Sequence, residues 1–352
     1  MLRSLAVASL PTRVVCFDAS PDSAGVHRGH RARLIPAVTD PAYREAVLDA
    51  CVREGVQALI PGLDPELEPL AEMADDLAAV GCVLVGSPPA VTRLLRDKLR
   101  CAEHFEALGL PFVRTVPIAR AEELALSCGF PLLAKPADGS ASRGLQVVFD
   151  RAELRALAEA APNCVVQEYL LSDTWGKHRS TLRREDVFRN HALVQRDEIV
   201  VQVVIDRDGT CIGVFTSNNT LKDGATVLMR PIEHDETGTT RVALEMAKHL
   251  AGLGLVGPCN IQCKVTSDGP FVFEINPRFS GGTGARASLG FNEVEASLRR
   301  LVLGEDVEVA RACLQTRYDR ICGLHPAEFV IDAEAVAELR RGGVVEGRAG
   351  RH

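Results

Sequence analysis

Apolar runs of strand length alternate with amphipathic stretches of helix length through the first hundred residues. Arg13–Phe17 reads as a strand. Asp40-Pro41 then opens a helix to about Glu54, because Asp caps a first turn and Pro fits the first helical position. Ala58–Ile60 is a second strand ended by Pro61, Pro65–Val80 a second helix, Cys82–Val85 a third strand, and a further helix starts at Pro88. Such alternation predicts a parallel sheet with helices on its faces. A domain of this kind normally opens with a strand and a glycine-rich turn. Here Met1–Ala8 reads as helix, so that first strand is expected to be missing or to lie upstream.

The pattern changes after about Leu110. Val113–Val116, Leu132–Ala134, Leu145–Phe149 and Cys164–Gln167 read as short strands, with a helix at Arg151–Ala160. Ser172 to Arg196 is polar and Arg-rich with little apolar periodicity, the mark of an insertion or lid. Ile199–Ile205 turns at Asp208-Gly209 into Cys211–Phe215 as a hairpin. Thr240–Leu250 reads as a helix, and Cys259–Val265 with Phe271–Asn276 forms a second hairpin across Ser267-Asp268-Gly269. Signals weaken beyond Glu305.

Composition narrows the class. A chain of 352 residues suits two or three domains, and 46% hydrophobic with 25% charged residues excludes global disorder. With 5% aromatics, the core must be mostly Leu, Val and Ala. No apolar run approaches the roughly 18 residues of a membrane span. The net charge of −7, without a long basic block, disfavours nucleic-acid and membrane partners. Eleven scattered cysteines fit no disulfide or zinc framework and read as reduced thiols of a cytoplasmic protein. Only six of the 40 basic residues are lysine, so a lysine marks a place where a compact ammonium serves better than a guanidinium.

The densest chemical signal is Phe271-Val272-Phe273-Glu274-Ile275-Asn276-Pro277-Arg278. Glu274 and Asn276 share a strand face, and a carboxylate beside an amide oxygen is a hard donor pair of the kind magnesium accepts. Gln262 lies on the partner strand: a three-residue loop would pair it with Glu274, a two-residue loop would put them on opposite faces. Arg278 follows, where a forked cation can reach a phosphate. A second signal is the buried strand that delivers Lys135 into the small-residue loop Asp138-Gly139-Ser140-Ala141-Ser142-Arg143-Gly144, whose backbone N–H groups can close over phosphates. This is not a Walker loop, since the lysine precedes the glycines. Gln167-Glu168-Tyr169-Leu170 is a strand end able to present backbone to an adenine. No nucleophile elbow is found, and the nine histidines form no metal-ligand spacing.

Taken in order, Asp97-Lys98, Ala134-Lys135-Pro136, the small-residue loop, Gln167-Glu168-Tyr169-Leu170, Gln262 and Glu274-Ile275-Asn276-Pro277-Arg278-Phe279-Ser280-Gly281-Gly282 resemble the ATP-grasp superfamily. Within it the chain is most similar to one synthetase half of the carbamoyl-phosphate synthetase large subunit and to stand-alone carboxylate–amine ligases, over roughly residues 12 to 300. The resemblance implies an α/β fold, α+β in its C-terminal part. Residues 1–95 would be a pre-ATP-grasp domain, 96–170 the small subdomain, 171–197 an insertion, 198–305 the metal-bearing subdomain and 306–352 an extension. It implies ATP with magnesium or manganese. Lys98, Lys135, Gly139, Ser140, Ala141, Ser142 and Gly144 would meet the phosphates, and Glu168, Tyr169 and Leu170 the adenine. Glu198 would meet the ribose, and Lys222, a loose match, would also reach phosphate. Gln262, Glu274 and Asn276 would hold the metal, with Arg278 and Lys135 acting on the transferred phosphoryl group. The activity implied is carboxylate activation as an acyl phosphate and transfer to an amine. A small-molecule kinase and a non-catalytic ATP binder are the rivals. Family members of this type are often dimers, so a homodimer is expected from the resemblance alone.

Overall fold

The computed structural model describes residues 1–137, 144–189, 192–222, 224–325 and 328–347. Two parallel strand pairs make up the N-terminal region: β1 (Val15–Asp18) with β2 (Arg31–Leu34), and β3 (Ala58–Leu59) with β4 (Val83–Leu84). The alternation therefore predicts the parallel pairing, but the pairs lie in two separate sheets. The strand β2 was not expected. Its Arg-Ala-Arg-Leu pattern buries Ala32 while Arg31 and Arg33 hold Glu54. The helix expected over Pro65–Val80 is divided into Leu67–Glu72 and Ala74–Ala79, with Met73 buried at the joint. The opening helix, Leu2–Ala6, is present, and Met1 and Leu5 pack against Phe279, Val294 and Leu298.

A four-stranded antiparallel sheet follows, built from β5 (Thr115–Pro117), β6 (Leu132–Pro136), β7 (Gln146–Val148) and β8 (Cys164–Glu168) in the order β5-β8-β6-β7. Helices Ala121–Cys128 and Arg151–Ala160 cover one face through Leu124, Leu154 and Leu157.

The larger sheet holds β10 (Ala192–Ile205), β11 (Cys211–Lys222), β12 (Ala225–Pro231), β13 (Gly257–Thr266) and β14 (Gly269–Asn276), with the short β9 (Phe188–Arg189) beside β10 and β15 (Cys322–Gly323) at the edge. Alternation decides its two faces. Ile199, Val201, Val203 and Ile205 of β10, with Ile261 and Cys263 of β13, point into the main core under helix Thr239–Gly252. Glu198, Val200, Asn260, Gln262 and Lys264 point the other way. Both expected hairpins form, but β10 starts at Ala192, inside the stretch read as insertion, and β12 was not foreseen.

The rest of that insertion is not the solvated loop its polarity suggests. Leu182 and Val187 are buried with Tyr169 and Val147 in a small cluster, and Phe188 and Trp175 pack around it. Arg179 reaches back to Glu168 and Arg184 to Glu153. The C-terminal stretch, also weak in sequence signal, forms helix Ala333–Gly342 and β16 (Val344–Glu346), which pairs antiparallel with β2. No helix among the described residues is long and apolar enough to cross a membrane.

Candidate functional site

A cavity of about 430 Å³ separates the four-stranded sheet from the polar face of the large one. Lys135 and Pro136 enter it from β6, and Glu168, Tyr169 and Leu170 from the end of β8. Lys98 enters from the first turn of helix Lys98–Ala107, whose start is fixed by the Asp97 carboxylate accepting from Leu99 N (3.1 Å) and Arg100 N (3.0 Å). Its ammonium donates to Ala137 O at 3.4 Å, just before the small-residue loop. Across the cavity stand Glu198, Gln262, Glu274 and Arg278.

Gln262 and Glu274 sit directly opposite each other, although the connecting loop has only two residues between Thr266 and Gly269. A bulge reconciles these facts. Cys263 pairs with Val272 but Gln262 with Glu274, so Phe273 is an extra residue in β14. The bulge turns both Phe273 and Glu274 to the cavity while Val272 and Ile275 stay in the core. The loop thus has the shorter of the two lengths considered from sequence, while the bulge restores the pairing expected of the longer one.

The donor set is all oxygen. Asn276 Nδ2 donates to Glu274 Oε1 (3.1 Å), and Gln262 Nε2 donates to Asn260 Oδ1 (3.4 Å), whose own Nδ2 donates to Gln202 Oε1 (2.8 Å). With their nitrogens so engaged, Gln262 and Asn276 keep their oxygens available beside the Glu274 carboxylate. This set fits a hard divalent cation, and no cluster of three His, Cys, Asp or Glu competes with it among the described residues.

Lys135 is 7% exposed and lies 5.4 Å from the centre of the Phe273 ring. Burial pushes its ammonium below the ordinary lysine range, while Glu274 pulls it back. Glu198 is as deeply buried. Burial pushes its carboxyl up to about 7, Lys264 and Lys135 opposing and Glu274 adding to the push. The folded chain then holds a proton that the unfolded chain releases at the usual carboxylate pKa. Stability is lost as pH rises through that window, fully so above 7. Nucleotide-free Glu198→Gln should therefore gain on the order of 1–3 kcal/mol over wild type at pH 8 and little at pH 5. Urea melts at the two pH values check this, and equal gains at both would contradict it.

Several expected residues stand elsewhere. Lys222 is exposed at the end of β11 and does not line the cavity, although its neighbours Leu221 and Gly224 do. Asn276, by contrast, stays with the oxygen set, buried and bonded to Glu274 beside the cavity wall rather than on it. Gly144 sits at φ 71° with its α-carbon so close to Pro136 that a side chain would collide at 2.9 Å, which fixes where the small-residue loop must end. Gly139, Ser140, Ala141 and Ser142 lie outside the described residues.

Sequence reading missed other members. Asp64, from the turn before helix Leu67–Glu72, grips the Arg278 guanidinium with both carboxylate oxygens, so the N-terminal region reaches the cavity. Lys264 and Asn260 lie two residues either side of Gln262 on the same face, and that spacing could have found them. Arg286, buried with Glu293 below Gly281-Gly282, carried no sequence signal. Glu168, expected only as backbone, is held by Arg114 (2.8 Å) and by Arg179 (2.5 Å) of the insertion.

Comparison with known proteins bears on this geometry. A family described as "PylC-like, N-terminal domain" matches residues 4–85, and one described as "ATP-grasp in the biosynthetic pathway with Ter operon" matches residues 198–321, the span that carries Gln262, Glu274 and Asn276. Over residues 198–321 the chain is ATP-grasp in sequence. The carbamoyl phosphate synthase large chain of Mycobacterium tuberculosis is 24% identical over 243 residues, 68% of this chain and 21% of that protein. The chain thus spans about a fifth of the length of this relative. Among solved structures, a β,γ-ATP complex of biotin carboxylase from Campylobacter jejuni aligns with a TM-score of 0.62 at 17% identity, over 92% of this chain and 71% of that one. The biotin carboxylase domain dimer of Hydrogenobacter thermophilus 2-oxoglutarate carboxylase, complexed with MgADP and bicarbonate, aligns at 0.58 and 16% identity, over 80% and 62%. At such identities the structural likeness speaks for the fold.

Proposed function

We propose that this ATP-grasp protein is an ADP-forming ligase that activates a small-molecule carboxylate as its acyl phosphate and joins it to an amine. The observation that carries this reading is the facing of two walls across one cavity: Lys98 and Lys135 on one side, Gln262 and Glu274 on the other. That spacing suits a magnesium-bound triphosphate, and the nucleotide complexes of the two structural neighbours support it.

A carboxylate resists acylation because its leaving group would be oxide. A carboxylate oxygen attacks the γ-phosphorus of ATP, the bond to the ADP oxygen breaks, and the acyl phosphate forms. The amine nitrogen then attacks the acyl carbon, phosphate departs and the nitrogen sheds its proton. Two anions must meet in the first step, so positive charge and alignment are what the protein contributes. Magnesium, held by Gln262, Glu274 and Asn276, would neutralise phosphate charge. Lys98 and Lys135 supply fixed cations, and Arg278, anchored by Asp64, offers a third at the far wall. Glu168 to Leu170 present backbone to the adenine, and residues 139–142 are small enough to cover the phosphates. Water must be excluded from the acyl phosphate, a role suited to that cover and to the packed insertion.

The test is ADP release over a panel of carboxylic acids, each with and without pooled amines. ADP that accumulates only when acid and amine are both present is the expected result. Release with one substrate and a stable phosphorylated product would make the protein a kinase, and binding without turnover would leave only a nucleotide binder.

A further inference from the structure

Lys264 has no part in the chemistry above, yet its position is specific. It stands opposite Glu198 in the β10–β13 ladder, and both side chains line the cavity. Their charges influence each other, since Lys264 draws the Glu198 carboxyl down and Glu198 draws the Lys264 ammonium up, against burial in each case. Even so, among the described residues neither side chain makes a hydrogen bond or a direct ion pair, and the other carboxylate that acts on Lys264, Asp197, does not line the cavity. Nearby polar groups are otherwise engaged: Asn260 and Gln262 bond to each other, and Lys135 lies over Phe273.

An ammonium and a carboxylate that face the same space without touching leave room for a group that satisfies both. A lysine can only donate hydrogen bonds and a carboxylate can only accept them. A hydroxyl does both at once, and a vicinal diol does so twice. Resting on the nucleotide reading, we propose that Lys264 is a nucleotide-binding residue, donating to a ribose hydroxyl oxygen that in turn donates a hydrogen bond to the Glu198 carboxylate. The two residues then clamp the sugar from both sides. A phosphate would satisfy Lys264 but be repelled by Glu198, so the pairing selects a neutral polyhydroxyl over an anion.

The experiment is calorimetric titration of the full chain with MgATP and with Mg-2′,3′-dideoxy-ATP, which lacks both hydroxyls. Wild type should prefer MgATP by about tenfold or more, the worth of hydrogen bonds to charged groups. Lys264→Met should weaken MgATP by about tenfold and the dideoxy nucleotide by less than about twofold, collapsing the preference. Lys264→Gln, which keeps a donor without the charge, should hold an intermediate preference. Equal weakening of both nucleotides, or an unchanged preference in either variant, would overturn the clamp while leaving the nucleotide site in place. Failure of wild type to bind MgATP at all would overturn the site itself.

Discussion

Glu274→Ala should release no ADP above background while its circular dichroism spectrum stays that of the folded protein. Glu274 is the only carboxylate of the oxygen set, so its removal takes away the charge that a divalent cation needs. It also removes the acceptor for Asn276 Nδ2 and the charge that pulls the buried Lys135 ammonium upward. Lys135 becomes a poorer partner for phosphate at the same time. Loss of at least about a hundredfold in turnover is expected, since metal and lysine fail together. Glu274→Gln separates shape from charge, and it should be as inactive as the alanine variant but no less stable than wild type. Near-normal ADP release from either variant would refute the metal assignment.

The second large effect is on stability. Arg286→Met should destabilise the chain by about 3–5 kcal/mol in urea melts, because it strands a buried carboxylate. Arg286 is 1% exposed and Glu293 not at all. Arg286 donates to Glu293 Oε1 from Nε (3.0 Å) and Nη2 (2.5 Å), and to Ser280 Oγ and Thr283 Oγ1, both at 3.0 Å. Glu293 Oε2 already lacks a partner among the described residues; Thr283 Oγ1, which donates to Oε1 at 2.8 Å, and the charge of the nearby Met1 ammonium replace only part of what the guanidinium supplies. Adding Glu293→Gln to Arg286→Met should recover most of the loss, because the stranded charge goes with it. A loss below about 1 kcal/mol in the single variant would place the pair among ordinary polar contacts. The pair also props Ser280 beside Arg278, so activity should fall ahead of global unfolding.

What could be read from the chain follows from how local each signal is. Lys98, Lys135, Glu168 and the Glu274 strand stand in short motifs whose spacing carries their chemistry, and the cavity gathers them. Glu274 against Gln262 is a harder case. The correct pairing depends on one extra residue, Phe273, and a bulge leaves no mark in an alternating apolar strand. Asp64 was beyond reach, because its partner Arg278 is 214 positions away and nothing near Asp64 suggests a site. Lys264 was within reach, since alternation places it on the face of Gln262, but no motif drew attention to it. The insertion misled by composition. Its many arginines describe its outer side, whereas Leu182, Val187 and Phe188 decide where it docks.

The short strand β16 has an architectural consequence. By lying along β2, it knots the last described stretch of the chain to the first, and Leu339 and Val345 share a small core with Val26 and Ala32. The amino-terminal region therefore borrows part of its own interior from the opposite terminus. Trimming the chain after the large sheet would bare a strand edge and open that interior, so the piece bearing Asp64 cannot be cut free as an independent module without mending what it borrows.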